Sequence, residues 1–214
     1  LQEVIISKSD TLAIRLIALQ LHLHAPLLEK LVMRDNNLYK NTLASSTIKS
    51  DALFDPPLGK DKSVNFLAQV SSFHFSFNTV RLVKSAINEI CWYFSHLSIL
   101  NLTGSHLNDW HMEAFALQTT EQGSTIGLRL FKNLQSLCMR HNMIRDKGLQ
   151  IIVTELAHLD CLQKLDLGFN YIGENGLQHL LNHMQHKGKQ LQLLDLTHNR
   201  GIFINEGLLI TVRE

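Results

Sequence analysis

The sequence has few cysteines and prolines and almost no excess of charge of either sign. Its 214 residues include three cysteines and three prolines, and 20 basic side chains nearly balance 19 acidic ones. Scattered, odd-numbered cysteines without metal-ligand spacing are typical of free thiols in a reducing compartment. A net charge of +1 gives no electrostatic reason to expect a nucleic acid or a membrane surface as partner. No stretch approaches the roughly 18 consecutive apolar residues of a membrane span. We therefore expect a cytoplasmic protein, with a nuclear or ciliary location left open.

A repeated spacing of apolar residues is what the sequence does contain. The clearest copy runs from Leu162 to Ile172, with apolar residues at positions 1, 4, 6 and 11 and Asn170 at position 9. Similar copies start near residues 1, 28, 70, 97, 134, 162 and 191, which gives a period of 27–29 residues and two longer intervals. A hydrophobic content of 45% supplies a continuous core for such an array.

Each part of the repeat has a physical reason. Apolar residues at positions 4 and 6 alternate with polar ones, as in a strand with one buried face. The position-9 asparagine can bond backbone groups where the chain leaves the strand, and serine at position 9 can do so more weakly. Helices are predicted to start at Gly148-Leu149, Gly176-Leu177 and Gly207-Leu208.

The run Leu162–Leu177, with its leucines, Asn170, Ile172 and Gly176, resembles the ribonuclease-inhibitor-like subfamily of leucine-rich repeats. That resemblance implies an α/β solenoid shaped like a horseshoe, with parallel strands on the concave side and helices on the convex side. It covers essentially all of residues 1–214 as a single array of about seven repeats. The subfamily includes nuclease inhibitors, immune-sensor domains, activators of small GTPases, actin regulators and ciliary proteins, so the resemblance does not select one function.

The two long intervals predict loop insertions near residues 45–63 and 118–127. The first contains Asp55-Pro56-Pro57, which is typical of an exposed loop. Such insertions either drift neutrally or contribute to a binding edge. Neither end of the sequence carries a polar cap, so we expect the chain to be a fragment of a longer one.

Candidate binding residues follow from the strand pattern, which directs positions 3, 5 and 7 onto the concave surface and position 8 to its rim. The central row changes from apolar at Ile5 to acidic at Asp195. Aromatic and arginine side chains on a rigid sheet are typical anchors of protein interfaces. The predicted partner-binding residues are Val32, Arg34, His74, Phe77, Asn101, Arg140, His141, Lys164, Asp166, Phe169, Asp195 and His198.

No arrangement in the sequence predicts catalysis, a metal or a cofactor. Cys138 and His141 are three residues apart on one predicted strand, so they point to different sides. His179, His183 and His186 share one helix face but have no evident fourth ligand. Basic residues do not cluster with aromatic ones as a nucleic-acid groove requires.

The sequence therefore predicts a non-enzymatic scaffold or adaptor, part of a larger complex, that binds a protein through its concave face and rim. Two alternatives stay open. One is a regulatory GTPase-activating module, for which Arg140, Asn101 and Arg200 are conceivable contacts. The other is a structural subunit of a cytoskeletal or ciliary assembly, with contacts at residues 45–63 and on the histidine helix.

Overall fold

The computed structural model describes most of the second half of the chain and selected parts of the first. The described residues are 2–7, 21, 27–34, 70–76, 87–88, 90–91, 94–116, 118–119, 125–187, 191–199 and 209–211. The first predicted insertion, residues 45–63, lies outside them.

An eight-stranded sheet organises the described residues. Its strands, in spatial order, are β1 (Glu3–Ser7), β2 (Lys30–Arg34), β3 (Ser72–Ser76), β4 (Ile99–Asn101), β7 (Ser136–Cys138), β8 (Lys164–Asp166), β9 (Leu193–Asp195) and β10 (Leu209–Thr211). The first seven pair in parallel, each with the next. Parallel neighbours need a crossover connection, and the helices lie in those crossovers. The predicted α/β architecture, in which parallel strands at the repeat positions alternate with helices, is confirmed at this level.

Three α-helices have both ends within the described residues: α1 (Asp109–Met112), α2 (Asp146–Leu156) and α3 (Glu174–Lys187). A 3-10 turn, Leu128–Leu130, packs near α2. In α2, Leu149, Ile152 and Val153 are buried at the spacing of one helix face. The glycines of Gly148-Leu149 and Gly176-Leu177 fall in the first turn of α2 and α3, as predicted.

Two connections differ from a plain repeat. The predicted insertion near 118–127 contains a small antiparallel hairpin of β5 (Gln118–Thr119) and β6 (Thr125–Ile126). The helix predicted to follow Gly207-Leu208 is wrong for residues 209–211, which form β10 and pair antiparallel with β9. The run Leu208-Leu-Ile-Thr-Val is rich in β-branched residues, so its local preference favours a strand.

The core lies on one face of the sheet. Leu165 at position 4 and Leu167 at position 6 are fully buried, and so are the same positions of β2, β3, β4, β7 and β9, whereas Val4 and Ile6 of β1 are partly buried. The other fully buried residues at these positions are Leu31, Met33, Phe73, Phe75, Leu100, Leu102, Leu137, Met139, Leu194 and Leu196. The aromatic pair Phe73 and Phe94 stacks within this core at 4.7 Å between ring centroids.

The position-9 asparagines join each repeat to the one before it. Asn170 is 2% exposed, and its Oδ1 accepts a 3.0 Å bond from the Ile144 N–H. Its Nδ2 donates to the carbonyls of Met139, Leu167 and Gly168. One side chain thus satisfies buried backbone groups of two repeats at once, which is more than a turn asparagine supplies.

Asn142 and Asn199 repeat this arrangement. Asn142 Oδ1 accepts from the N–H groups of Ser105 and Leu107, and Asn199 Oδ1 accepts from Ile172. Ser105, which occupies position 9 one repeat earlier, donates its hydroxyl to the Phe75 carbonyl at 2.8 Å. The predicted substitution of asparagine by serine is confirmed here, and serine satisfies fewer groups, as its single hydroxyl requires.

A second set of contacts joins the helix starts. Asp109 Oδ1 accepts from the Arg145 N–H at 2.7 Å, and Asp146 Oδ1 accepts from the Gly173 N–H at 2.6 Å. A Cβ built on Gly176 would lie 2.5 Å from Asp146 Oδ1. The glycine in the first helical turn therefore makes room for the carboxylate of the preceding repeat.

Removing one bridging asparagine should cost far more than removing an exposed one. We expect Asn170→Ala to lower the free energy of unfolding by about 3 kcal/mol or more, because several buried backbone groups lose their partner. Asn175→Ala, at an exposed position of α3, should change it by less than about 0.5 kcal/mol. Urea denaturation measures both, and equal effects would contradict the bridging role.

Gly176→Ala should destabilise the chain although alanine is the better helix former by about 1 kcal/mol. The new methyl group meets Asp146 Oδ1, so we expect a loss of about 1–3 kcal/mol in thermal or urea unfolding. In an Asp146→Ala background the cost should shrink, though not vanish, because the Asp146 Cα is also only 3.2 Å away. An unchanged cost in that background would show that the carboxylate is not the obstacle.

Candidate functional site

The sheet register aligns one residue from each parallel strand in a single row on the face opposite the leucine core, which we call the open face. The row consists of Ile5, Val32, His74, Asn101, Cys138, Asp166 and Asp195. Each is partly or largely accessible. The order is the one expected from the repeat spacing.

The N-terminal part of the open face is apolar with a small charged edge. Ile5 is 54% exposed and Ile99, at position 3 of β4, is 38% exposed. Lys30 pairs with Glu3 at 2.9 Å between two exposed side chains. Such an exposed pair adds little stability, so this end offers mainly apolar contact area.

His74 is the third residue of the row, and its Nε2 is 2.8 Å from the Ser72 hydroxyl. Burial, assisted by the charge of Lys30, lowers the pKa of His74, and Glu3 offsets part of that effect. The sequence analysis missed this serine–histidine pair, although a spacing of two on a strand puts both on one face. No carboxylate hydrogen-bonds to the His74 ring within the described residues, so the pair lacks the third member of a hydrolytic triad.

A chain of polar contacts continues from Asn101 across the next two strands. Asn101 Oδ1 accepts a 2.7 Å bond from the Thr103 hydroxyl, which lies 3.1 Å from Cys138 Sγ. The thiol lies 3.5 Å from Asp166 Oδ2, an acceptor on the neighbouring strand. Burial raises the pKa of Cys138, and Asp166 adds to the increase while the Thr103 bond opposes it. A protonated thiol is a poor nucleophile, so the role of Cys138 on the open face is to hydrogen-bond with its neighbours.

Arg140 draws the two acids of the row together. Its Nη1 is 2.6 Å from Asp195 Oδ2 and 3.3 Å from Asp166 Oδ1. The three side chains are 27%, 17% and 25% exposed, in the order Arg140, Asp195, Asp166. Gly168 makes the reach possible, because a Cβ there would lie 2.5 Å from Nη1.

Three aromatic side chains stack beside this cluster at position 8, and we call them the aromatic stack. The centroids of His141 and Phe169 are 4.1 Å apart, as are those of Phe169 and His198. The Arg140 guanidinium lies over the Phe169 ring at 4.6 Å. The same arginine therefore contacts both the acids of the open face and the stack at its rim.

The backbone of the aromatic stack is left-handed. His141, Phe169 and His198 have φ values of 55°, 54° and 57°, and Gly104, at position 8 of an earlier repeat, has 62°. Position 8 therefore has a left-handed backbone conformation, which glycine adopts freely and bulky residues adopt only at an energetic cost. The sequence pattern gave no sign of this, because position 8 carries no fixed residue type.

The remaining predicted site residues are spread along the open face. Val32 is half-buried, and Arg34 and Lys164 are exposed. Phe77 lies outside the described residues. Three large exposed side chains do not follow from the strand pattern: Leu27 before β2, 70% exposed, Trp110 in α1, 55% exposed, and Tyr171 at position 10, 43% exposed.

The described residues contain no group of three or more side chains able to hold a metal ion. This covers His179 and His183 of the histidine helix; the side chain of His186 lies outside what the structure describes. Nor is any helix in the described ranges long and apolar enough to cross a bilayer.

Comparisons with known proteins identify no relative that bears on function. No protein-family model matches the chain, and no curated protein matches it. Among solved structures, it is similar to an internalin from Listeria monocytogenes, with 17% identity and a TM-score of 0.39. The match covers 72% of this chain and 33% of the internalin chain. A likeness this low carries no argument about the fold or the function of this chain.

The titration of Asp195 tests the arginine cluster. Although burial acts to raise it, the pKa of Asp195 lies below its usual value, because Thr197 and Arg140 hydrogen-bond to and attract the carboxylate. A lowered folded-state pKa means that ionised Asp195 stabilises the fold at neutral pH, and that this contribution is lost as the pH falls through that pKa.

Arg140→Gln should therefore raise the titration midpoint of Asp195, measured from its carboxyl carbon by NMR. The variant should also lose its Asp195 contribution at a higher pH than the original chain. Arg145→Gln, which alters an exposed arginine outside the cluster, should leave the midpoint unchanged. An unchanged midpoint in Arg140→Gln would refute the coupling.

Proposed function

We propose that this chain is a protein-binding module, a scaffold or adaptor that holds a protein partner on the open face and the aromatic stack. The observation that carries the proposal is the stack itself. His141, Phe169 and His198 have left-handed backbones, keep successive rings 4.1 Å apart and lie beside the Arg140 cluster.

The energetics of the aromatic stack indicate that its three side chains have a role other than stabilising the fold. A left-handed backbone costs a bulky residue about 1–2 kcal/mol, and the three residues together cost several. Two stacked aromatic pairs return about 0.5–1.5 kcal/mol each. Because the gain and the cost are of similar size, stacking alone gives little reason to prefer aromatic residues over glycine, which Gly104 shows to be compatible with the position.

The surface also has the physical features of an interface. Rings held by stacking and an arginine held by two acids lose little conformational entropy on binding. Aromatic and arginine side chains are the usual energetic anchors of interfaces, surrounded by contacts that contribute less. Exposed Ile5 and Ile99 extend the same face with apolar area.

The two alternatives receive no comparable support. For a GTPase-activating module, Arg140 would have to extend into a nucleotide site on the partner, yet two carboxylates hold its Nη1 against the sheet. Asn101 Oδ1 accepts from Thr103, and Arg200 lies outside the described residues. The contacts suggested for a cytoskeletal subunit fall mainly in residues 45–63, also outside them.

We also propose that the chain belongs to the ribonuclease-inhibitor-like subfamily, with one curved, horseshoe-shaped array of about seven repeats over residues 1–214. The full α-helices α2 and α3 between strands about 28 residues apart support this proposal. The free thiols of all three cysteines support a cytoplasmic location. No enzymatic activity is proposed.

Site-directed photo-crosslinking tests the proposed function. A photoreactive phenylalanine analogue at Phe169 should crosslink a specific protein in cells, whereas the analogue at Gln178, exposed on α3, should not. With the captured protein purified, Phe169→Ala should weaken its binding by about 2 kcal/mol, or roughly thirtyfold. Gln178→Ala is the matched control. Equal crosslinking at both positions, or unchanged affinity of Phe169→Ala, would overturn the proposal.

A further inference from the structure

The hydrogen-bonding groups around Arg140 are used unequally, and the inequality indicates what a partner must supply. The two acids already have donors within the chain. Asp166 Oδ1 accepts from the Gly168 N–H and Arg140, and its Oδ2 lies near the Cys138 thiol. Asp195 Oδ1 accepts from the Thr197 N–H, and its Oδ2 from Arg140. All four carboxylate oxygens therefore already have a donor.

The donors are not saturated. Arg140 makes both of its ion pairs through Nη1 alone. Its Nε and Nη2, which carry three N–H groups, donate no hydrogen bond to any other described residue. Lys164 is exposed on the same face as Asp166 and has no ion pair within the described ranges.

The guanidinium is also held in position. Two carboxylates hold Nη1, and the guanidinium carbon lies over the Phe169 ring, 4.6 Å from its centroid. The side-on pair of Nε and Nη2 matches the two oxygens of a carboxylate, the geometry of the strongest arginine contacts. A fork already fixed in this way loses little entropy when it binds.

We propose that Arg140 is the specificity-determining residue of this surface and that it binds an acidic side chain of the protein partner through Nε and Nη2. Lys164 adds a second cation on the same face, and the aromatic stack accepts an adjacent apolar or aromatic side chain. The proposal rests on the proposed function and deepens it. The row is acidic at Asp166 and Asp195, but these carboxylates already accept hydrogen bonds from groups of this chain. The proposed partner group is therefore acidic and not basic.

The occupant is a carboxylate of a protein and not a nucleic-acid phosphate. The whole chain has a net charge of only +1. Binding along a phosphate backbone needs several cations in a row. Arg140 and Lys164 stand beside two carboxylates, so the site lacks the run of cations that a phosphate backbone needs, and it offers one directional guanidinium fork for a single acidic group next to an apolar contact.

An NMR titration of the isotope-labelled protein tests this directly. The probes are N-acetyl-Phe-Glu-amide, its neutral match N-acetyl-Phe-Gln-amide, and inorganic phosphate. The Arg140 Nε–H resonance should shift and saturate with the glutamate peptide, and the glutamine peptide should bind about tenfold more weakly, as expected when a charge-assisted bond becomes a neutral one. Arg140→Lys, which keeps the charge but loses the fork, should weaken the glutamate peptide about as much. Arg145→Gln should leave its affinity unchanged.

Equal binding of the two peptides, no response of Arg140, or a tighter response to phosphate would each overturn the carboxylate assignment. The two proposals fail separately. If a protein crosslinks at Phe169 and still binds Arg140→Lys at full strength, the protein-binding role stands and the carboxylate site falls. If Arg140 responds only to the glutamate peptide but no protein crosslinks, the carboxylate site stands and the protein-binding role falls.

Discussion

Buried backbone groups at the end of each strand must find hydrogen-bond partners, and the position-9 asparagine supplies them. Each of Asn142, Asn170 and Asn199 bonds carbonyls at the end of its own strand and a backbone group of the preceding repeat. An apolar residue there would leave several polar groups unpaired in the core. The same bonds fix how far apart successive turns lie. In the last three described turns the regular stacking therefore depends on one amide side chain per turn, and in the turn before them Ser105 supplies a hydroxyl at the same position.

The surface inherits its geometry from that stacking. Because the turns repeat at a fixed distance, the residues at position 8 fall directly beside one another, and the rings of His141, Phe169 and His198 stack at 4.1 Å. Because the strands are in register, the acids of β8 and β9 are neighbours, and Arg140 reaches both. Gly168 completes the arrangement by leaving room for the guanidinium. The candidate site is thus a consequence of the backbone bonds beneath it.

The sequence predicted those parts that repeat. The spacing of the leucines gave the buried positions, and the row from Ile5 to Asp195 followed from strand alternation alone. The sequence could not predict contacts that depend on the conformation of a single residue. Nothing in the spacing says that Arg140 turns towards Asp195, two strands away, or that position 8 is left-handed. The helix predicted after Gly207 is wrong because the β-branched residues that follow favour a strand more strongly than the glycine-leucine pair favours a helix. The exposure of Trp110 and Tyr171 does not follow from the repeat, because neither residue occupies one of its strand positions.

Amide hydrogen exchange of the chain with and without its crosslinked partner, once purified, tests the central claim most directly. The amides of His141 and Phe169 bond to the carbonyls of Gly168 and Thr197 at the base of the aromatic stack. The account predicts that these amides and those of β7 to β9 exchange more slowly in the complex, while the outward-facing amides of α2 and α3 are unchanged. Protection confined to α2 and α3, with no change at the stack, would contradict it.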